Sequence, residues 1–180
     1  GGENLLISAD VQGVVSKYVE EKTGVPMLFI NGAAGNIAPI YSVYPDARSG
    51  RMNQFRRLLG DKILAASEAI VNYEDQVSFT ASEMEFYTPM KEGLIWPKPL
   101  NKYIVNNGKA TKTIKVPVRF LNINDKIAIW ASPLELFCEI SNKVRERSPF
   151  PYTFYYGYTN GWLGYMLTEE ERQYEGYEPT

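Results

Sequence analysis

Residues 111–131 read TKTIKVPVRFLNINDKIAIWA, and this stretch decides the fold class. Across residues 111–121 polar and apolar side chains alternate, the period of a strand with one face on a core. Residues 122–126, Asn-Ile-Asn-Asp-Lys, carry turn chemistry. Residues 126–131, KIAIWA, are strand-like again, so the two runs make a hairpin. Upstream, residues 77–86 alternate in part and read as extended. Downstream, residues 135–147 read as a helix with Pro133 near its start. Residues 152–158 form an aromatic strand, Thr159, Asn160 and Gly161 turn, and residues 163–167 follow.

Moving toward the N-terminus, residues 87–108 hold Pro89, Pro97 and Pro99 around Trp96 and read as an excursion over the surface. Residues 51–72 carry an apolar stripe (Phe55, Leu58, Leu59, Ile63, Ala66, Ile70) and predict one long amphipathic helix. Residues 25–30, VPMLFI, are almost continuously apolar and predict a strand buried on both faces. Ser8 and Asp10 open a helix over residues 11–21, with Val14, Val15, Tyr18 and Val19 on one face and Gly24 at its end. Residues 5–7 are a short strand candidate. Strands followed by helices and a hairpin place the chain in the α/β class, a mixed β-sheet with packed helices, and the length points to one domain.

Composition narrows the function. Aromatic residues make up 13% of the 180 residues, too much order-promoting material for a disordered chain. Net charge is -2, so no basic field exists to hold nucleic acid or anionic lipid. Arg48, Arg51, Arg56 and Arg57 lie between Asp46 and Asp61 and read as a solvated helix face, with a phosphate or acidic-partner patch as the alternative. No apolar run reaches the roughly 20 residues of a membrane helix. The single cysteine, Cys138, excludes an internal disulfide. The chain has no histidine, which rules out Ser-His-Asp and Cys-His mechanisms within it and removes the commonest zinc ligand.

Three stretches carry chemistry. Asn31-Gly-Ala-Ala-Gly-Asn36 is a glycine-rich turn leaving a predicted strand, the usual place for a ligand crevice. It lacks the lysine and hydroxyl of a phosphate loop and the glycine spacing of a dinucleotide fingerprint. Asn31 and Asn36 either offer amides to a substrate or cap the turn. SPLELFCEI, residues 132–140, sets Glu135 among apolar neighbours, and Glu139 shares its face if the helix has begun. Residues 157–178 are rich in tyrosine, whose phenol holds a metal only with help from other ligands or donates to an oxyanion. The competing reading of these tyrosines is packing and surface.

In this order LLISADVQG, FINGAAGNIAP, IWASPLE and TNGWLGYMLTEEERQYEG resemble the neutral/alkaline non-lysosomal ceramidase family, with little likeness over residues 40–110. The resemblance implies a zinc-dependent amidase that releases a fatty acid from an N-acyl lipid. It implies that Glu135 and Tyr165 are metal ligands and that Tyr174, in the YEG motif, stabilises the oxyanion. Asn36 stands in the position of a family carboxylate and is grouped with the catalytic residues. Asn31, Gly32, Gly35 and Ala38 line the substrate crevice. The family's histidines precede the ISAD-like segment. The chain is therefore expected to be the later portion of a larger ceramidase-like catalytic domain, completed by an upstream portion. Alone it would hold no zinc and turn over little. Ala38 replaces the family's serine, so the substrate need not be ceramide: a small molecule or another lipid remains open. A lipid-cleaving relative is expected in the periplasm or secreted. The runner-up is a noncatalytic binding domain that kept the fold. A third reading makes the Trp96–Pro97 excursion a carbohydrate or lipid surface, which requires an exposed aromatic patch.

Overall fold

The computed structural model describes residues 6–39, 52–91, 96–105, 108, 112–174 and 176–178. Leu5 and residues 40–51, Arg48 and Arg51 among them, lie outside these. The chain forms two compact units, one of residues 1–30 and 38–76, the other of residues 31–37 and 77–180. Its content is mixed α/β, with a mixed sheet and several helices.

In the first unit, α1 (Asp10–Thr23) buries Val11, Val15 and Val19 and ends at Gly24 in the left-handed conformation. Residues 56–60 follow as a π-helical turn leading into α2 (Asp61–Glu68). The helix expected over residues 51–72 is thus present but shorter, helical without interruption over residues 54–68 with a π turn within it. At that turn Gly60 lies against the Tyr18 ring, and the Tyr18 hydroxyl donates to Asp61 at 2.6 Å. Val11, Val15 and Phe55 form the small core, with Met52 and Ile63 at its edge.

Two strand expectations fail here. Residues 25–30 have no strand structure, and Leu28 is 88% exposed. An apolar run becomes a strand only when another strand takes its N–H and C=O groups. Among the described residues none does, although Glu20 accepts the Met27 N–H at 2.9 Å. Leu6 and Ile7 are likewise exposed and outside any strand.

The second unit is built on the hairpin. β3 (Thr113–Ile123) pairs antiparallel with β4 (Ile127–Ala131), and with β1 (Phe79–Pro89) along its whole length. The connection is the three residues Asn124, Asp125 and Lys126; Asn124 and Asp125 both have positive φ, and the Lys126 N–H donates to the Ile123 carbonyl at 3.0 Å to close the turn. β2 (Ile104–Val105) also pairs with β3, and β6 (Tyr152–Tyr156) pairs parallel with β4. The crossover from β4 to β6 runs through β5 (Glu135–Leu136) and α3 (Cys138–Arg147). Parallel neighbours need such a connection.

Alternation on β3 buries Ile114, Val116 and Val118 on one face. Tyr103 and Leu134 complete that core, and Phe86, Trp96, Leu100, Leu163 and Met166 pack against it. Within this stretch Met90, Trp96, Leu100, Tyr103 and Ile104 thus take part in the core packing, so the expected surface excursion does not hold for them. Tyr103 is only 7% exposed, and Trp96 packs inward, which removes the exposed aromatic patch the third reading required. Among the described residues no helix is long and apolar enough to cross a membrane.

Candidate active site

The segment after β4 is the most buried of the chain: Ser132 and Leu136 are each 1% exposed. Its backbone is laced to residues 157–166. Ser132 accepts from the Thr159 N–H, Pro133 from Leu163, and the Glu135 N–H donates to Gly164 at 2.9 Å. Inside, the Tyr155 hydroxyl bonds Ser132 Oγ at 2.7 Å and donates to the Leu134 carbonyl at 3.0 Å.

These bonds draw Glu135 into β5, which pairs parallel with β7 (Tyr165–Met166). Glu135 is thus on a strand, and the helix expected over residues 135–147 begins only at Cys138. The shared helical face for Glu135 and Glu139 does not form. Instead Glu135 stands directly opposite Tyr165 in the register. Directly opposed residues on a strand pair put their side chains on the same face.

Glu135 collects neutral donors. Its Oε1 accepts the Trp162 indole N–H at 2.6 Å. Burial, followed by a hydrogen bond to this carboxylate, pushes the Tyr158 phenol up to about 12. The Tyr165 phenol is pushed further, first by its hydroxyl contact with Tyr177 at 3.1 Å, then by burial and by Glu135. The Tyr165 and Tyr177 rings meet edge to face, 5.5 Å apart. Among the described residues no lysine or arginine forms an ion pair with Glu135.

The glycine-rich turn lies alongside. The Gly35 N–H donates to the Leu136 carbonyl at 2.9 Å, and a Cβ at Gly35 would sit 2.7 Å from the Glu135 carbonyl oxygen. Only glycine fits there. Asn31 accepts the Gly157 N–H, and Gly32 passes the Tyr155 carbonyl. Asn36 reaches past the turn: its Oδ1 accepts the Cys138 N–H at 2.9 Å and its Nδ2 donates to Glu139 Oε2 at 2.8 Å. It therefore caps α3 from 102 residues away, a cap that the flanking Phe137 does not supply. Both ends of its amide are engaged by the protein.

The structure brings Glu135, Tyr165, Asn31, Gly32, Gly35 and Asn36 into the same contact network. It does not draw Tyr174 in: that ring is 61% exposed, and its N–H donates to Glu171. Ala38 belongs to the first unit and not to the one that carries the network, and Glu175 of the YEG motif lies outside the described residues. Tyr158 and Trp162, which the motifs did not single out, bond the carboxylate, and Tyr177, likewise not singled out, bonds Tyr165. Tyr158 has a signal in hindsight, since it follows a glycine in a tight turn and takes φ +55°. Trp162 and Tyr177 had none.

A catalytic zinc takes three protein ligands and keeps a position for water. Among the described residues no group of three or more His, Cys, Asp or Glu is placed to hold a metal. Glu135 and Tyr165 bring two oxygen side chains together in register, which is fewer than such a set requires. The Tyr165 phenol, raised first by Tyr177, then by burial and by Glu135, holds its proton.

No model of a known protein family, no curated protein and no solved structure matches this chain.

Proposed function

We propose that the chain is part of a zinc-dependent hydrolase of amide or ester bonds, a ceramidase-like N-acyl amidase in the longer protein that carries it. The reading rests on the register pair Glu135–Tyr165, which joins the SPLE and GYMLT motifs into one face. In it these two residues hold the ion with histidines from an upstream portion. When bound, zinc supplies an activated water and polarises the scissile carbonyl. Ala38 has no hydroxyl, so attack falls to water rather than to a side chain.

The remaining roles belong to protein groups. Trp162 restrains the Glu135 carboxylate, Tyr177 restrains the Tyr165 phenol, and Gly35 lets the turn approach the β5 backbone. Tyr174 is assigned to the oxyanion by motif, and its exposed ring is free to meet a substrate. The substrate is a small molecule or lipid bearing an acyl group.

One observation favours the second reading, a noncatalytic binding domain. Asn36 spends both ends of its amide on Cys138 and Glu139 and offers neither to a substrate.

Metal analysis of the intact longer protein separates the two. Tight zinc that Glu135→Ala and Tyr165→Phe both weaken supports the hydrolase and directs screening to N-acyl lipids and sugars. Zinc absent, or indifferent to both substitutions, removes the metal site and leaves the binding domain.

A further inference from the structure

Trp162 has no role in the motifs, yet its place is built with care. Gly161 before it sits beneath the buried Tyr103, where a Cβ would clash with the hydroxyl. That hydroxyl donates to the Asn160 carbonyl at 3.3 Å. Asn160 itself has φ +59°, and the Leu163 N–H after Trp162 donates to Pro133 at 2.7 Å. The core thus anchors the chain on both sides of a tryptophan that is itself 48% exposed. Burial does not account for that placement. The indole N–H does, because it lies 2.6 Å from Glu135 Oε1.

We infer that Trp162 is the positioning residue of Glu135: its indole N–H holds Oε1 and so fixes the carboxylate that would meet a cation. This deepens the metal reading of Glu135 and rests on it. A neutral donor suits the task. It fixes the carboxylate in one rotamer without cancelling its charge, as a lysine or arginine would. Indole is donor-only, so it cannot compete with the carboxylate for the ion. The bond is charge-assisted, which gives it the strength to hold a half-exposed side chain.

Two substitutions isolate the N–H from the ring. Trp162→Phe keeps an aromatic body without a donor, and Trp162→Tyr returns a donor at its tip. In the 180-residue chain, the Trp162 indole proton, assigned by its loss in Trp162→Phe, should resonate far downfield. It should move upfield in Glu135→Gln. In the intact protein, Trp162→Phe should weaken zinc by about 10–100-fold, the usual cost of losing an outer partner, and Trp162→Tyr should recover most of it. An indole resonance that ignores Glu135→Gln overturns the inference. So does zinc affinity that is equal in the Phe and Tyr variants and the wild type. A wild type without zinc sinks the metal reading instead, and the indole resonance still decides whether Trp162 holds Glu135. Circular dichroism of each variant, expected to match the wild type because the side chain is half-exposed, excludes misfolding as the cause.

Discussion

Glu83 and Glu135 are both strand carboxylates of the same unit, and their partners could hardly differ more. Glu83 on β1 lies in register with Arg119 on β3 and pairs with it at 3.2 Å. Its neighbour Glu85 pairs with Lys115 at 2.9 Å and accepts from Tyr87 at 2.8 Å. Those charges are neutralised across the sheet, and an exposed pair of this kind contributes little to stability. Glu135 instead meets an indole N–H and phenols. Neutral donors orient a carboxylate and leave its charge unspent. The difference lies in the partners: ion pairs for Glu83 and Glu85, neutral donors for Glu135.

The largest expected effect breaks that comparison directly. Glu135→Ala should lower zinc retention of the intact protein beyond the roughly 100-fold reached by outer-shell changes, whereas Glu83→Ala should leave it unchanged. Dialysis against a competing chelator followed by metal analysis reads both. Equal losses would mean that partner chemistry does not distinguish the two carboxylates.

Next comes the cradle of Glu135. Gly35→Ala places a methyl against the Glu135 carbonyl and the Phe137 ring. Overpacking of this sort costs about 1–3 kcal/mol, to be read from the urea midpoint. A neutral outcome would show that the turn does not press on β5.

Asn36→Ala removes the remote cap of α3 and should cost about 1 kcal/mol by the same measurement. Its partner Glu139 gives the pH signature. The Glu139 carboxyl lies below its ordinary 4.5, first because of the backbone N–H at the helix start, with the Asn36 amide adding to it and burial opposing. A lowered folded pKa means stability complete above about 4.5 and lost as pH falls through the folded value. Glu139→Gln should flatten that acid limb. If the limb is unchanged, the Asn36–Glu139 contact carries no linkage.

The smallest effect belongs to the sheet pairs. Glu85→Gln should shift the thermal midpoint slightly, and added salt should erase the shift. A large shift that survives salt would make these pairs structural in a way their exposure argues against.

The hairpin of β3 and β4 was legible because both its signals are local: alternation along residues 113–123 and an Asn-Asp turn that accepts positive φ. Helix α1 and its Gly24 stop were legible for the same reason. The site was legible in part. Motif likeness picked out Glu135 and Tyr165, which the structure sets opposite one another. It gave Glu135 the wrong element, since local propensity from residue 135 onward is helical. The two-residue strand exists because residues 164–166 accept and donate its backbone bonds. Residues 25–30 show the converse: strong strand composition with no strand, for lack of a partner.

What the sequence by itself determined is therefore whatever depends on neighbours a few residues apart. That covers the α/β class, the hairpin, the Gly24 stop of α1, the glycine the turn requires and the absence of histidine. Tertiary structure alone decided the π turn beside Tyr18, the burial of Tyr103, the remote capping by Asn36 and the donors about Glu135. Each of these joins different elements of the fold. Such contacts are set by how sheet, turn and helix pack, and local pattern carries no information about them.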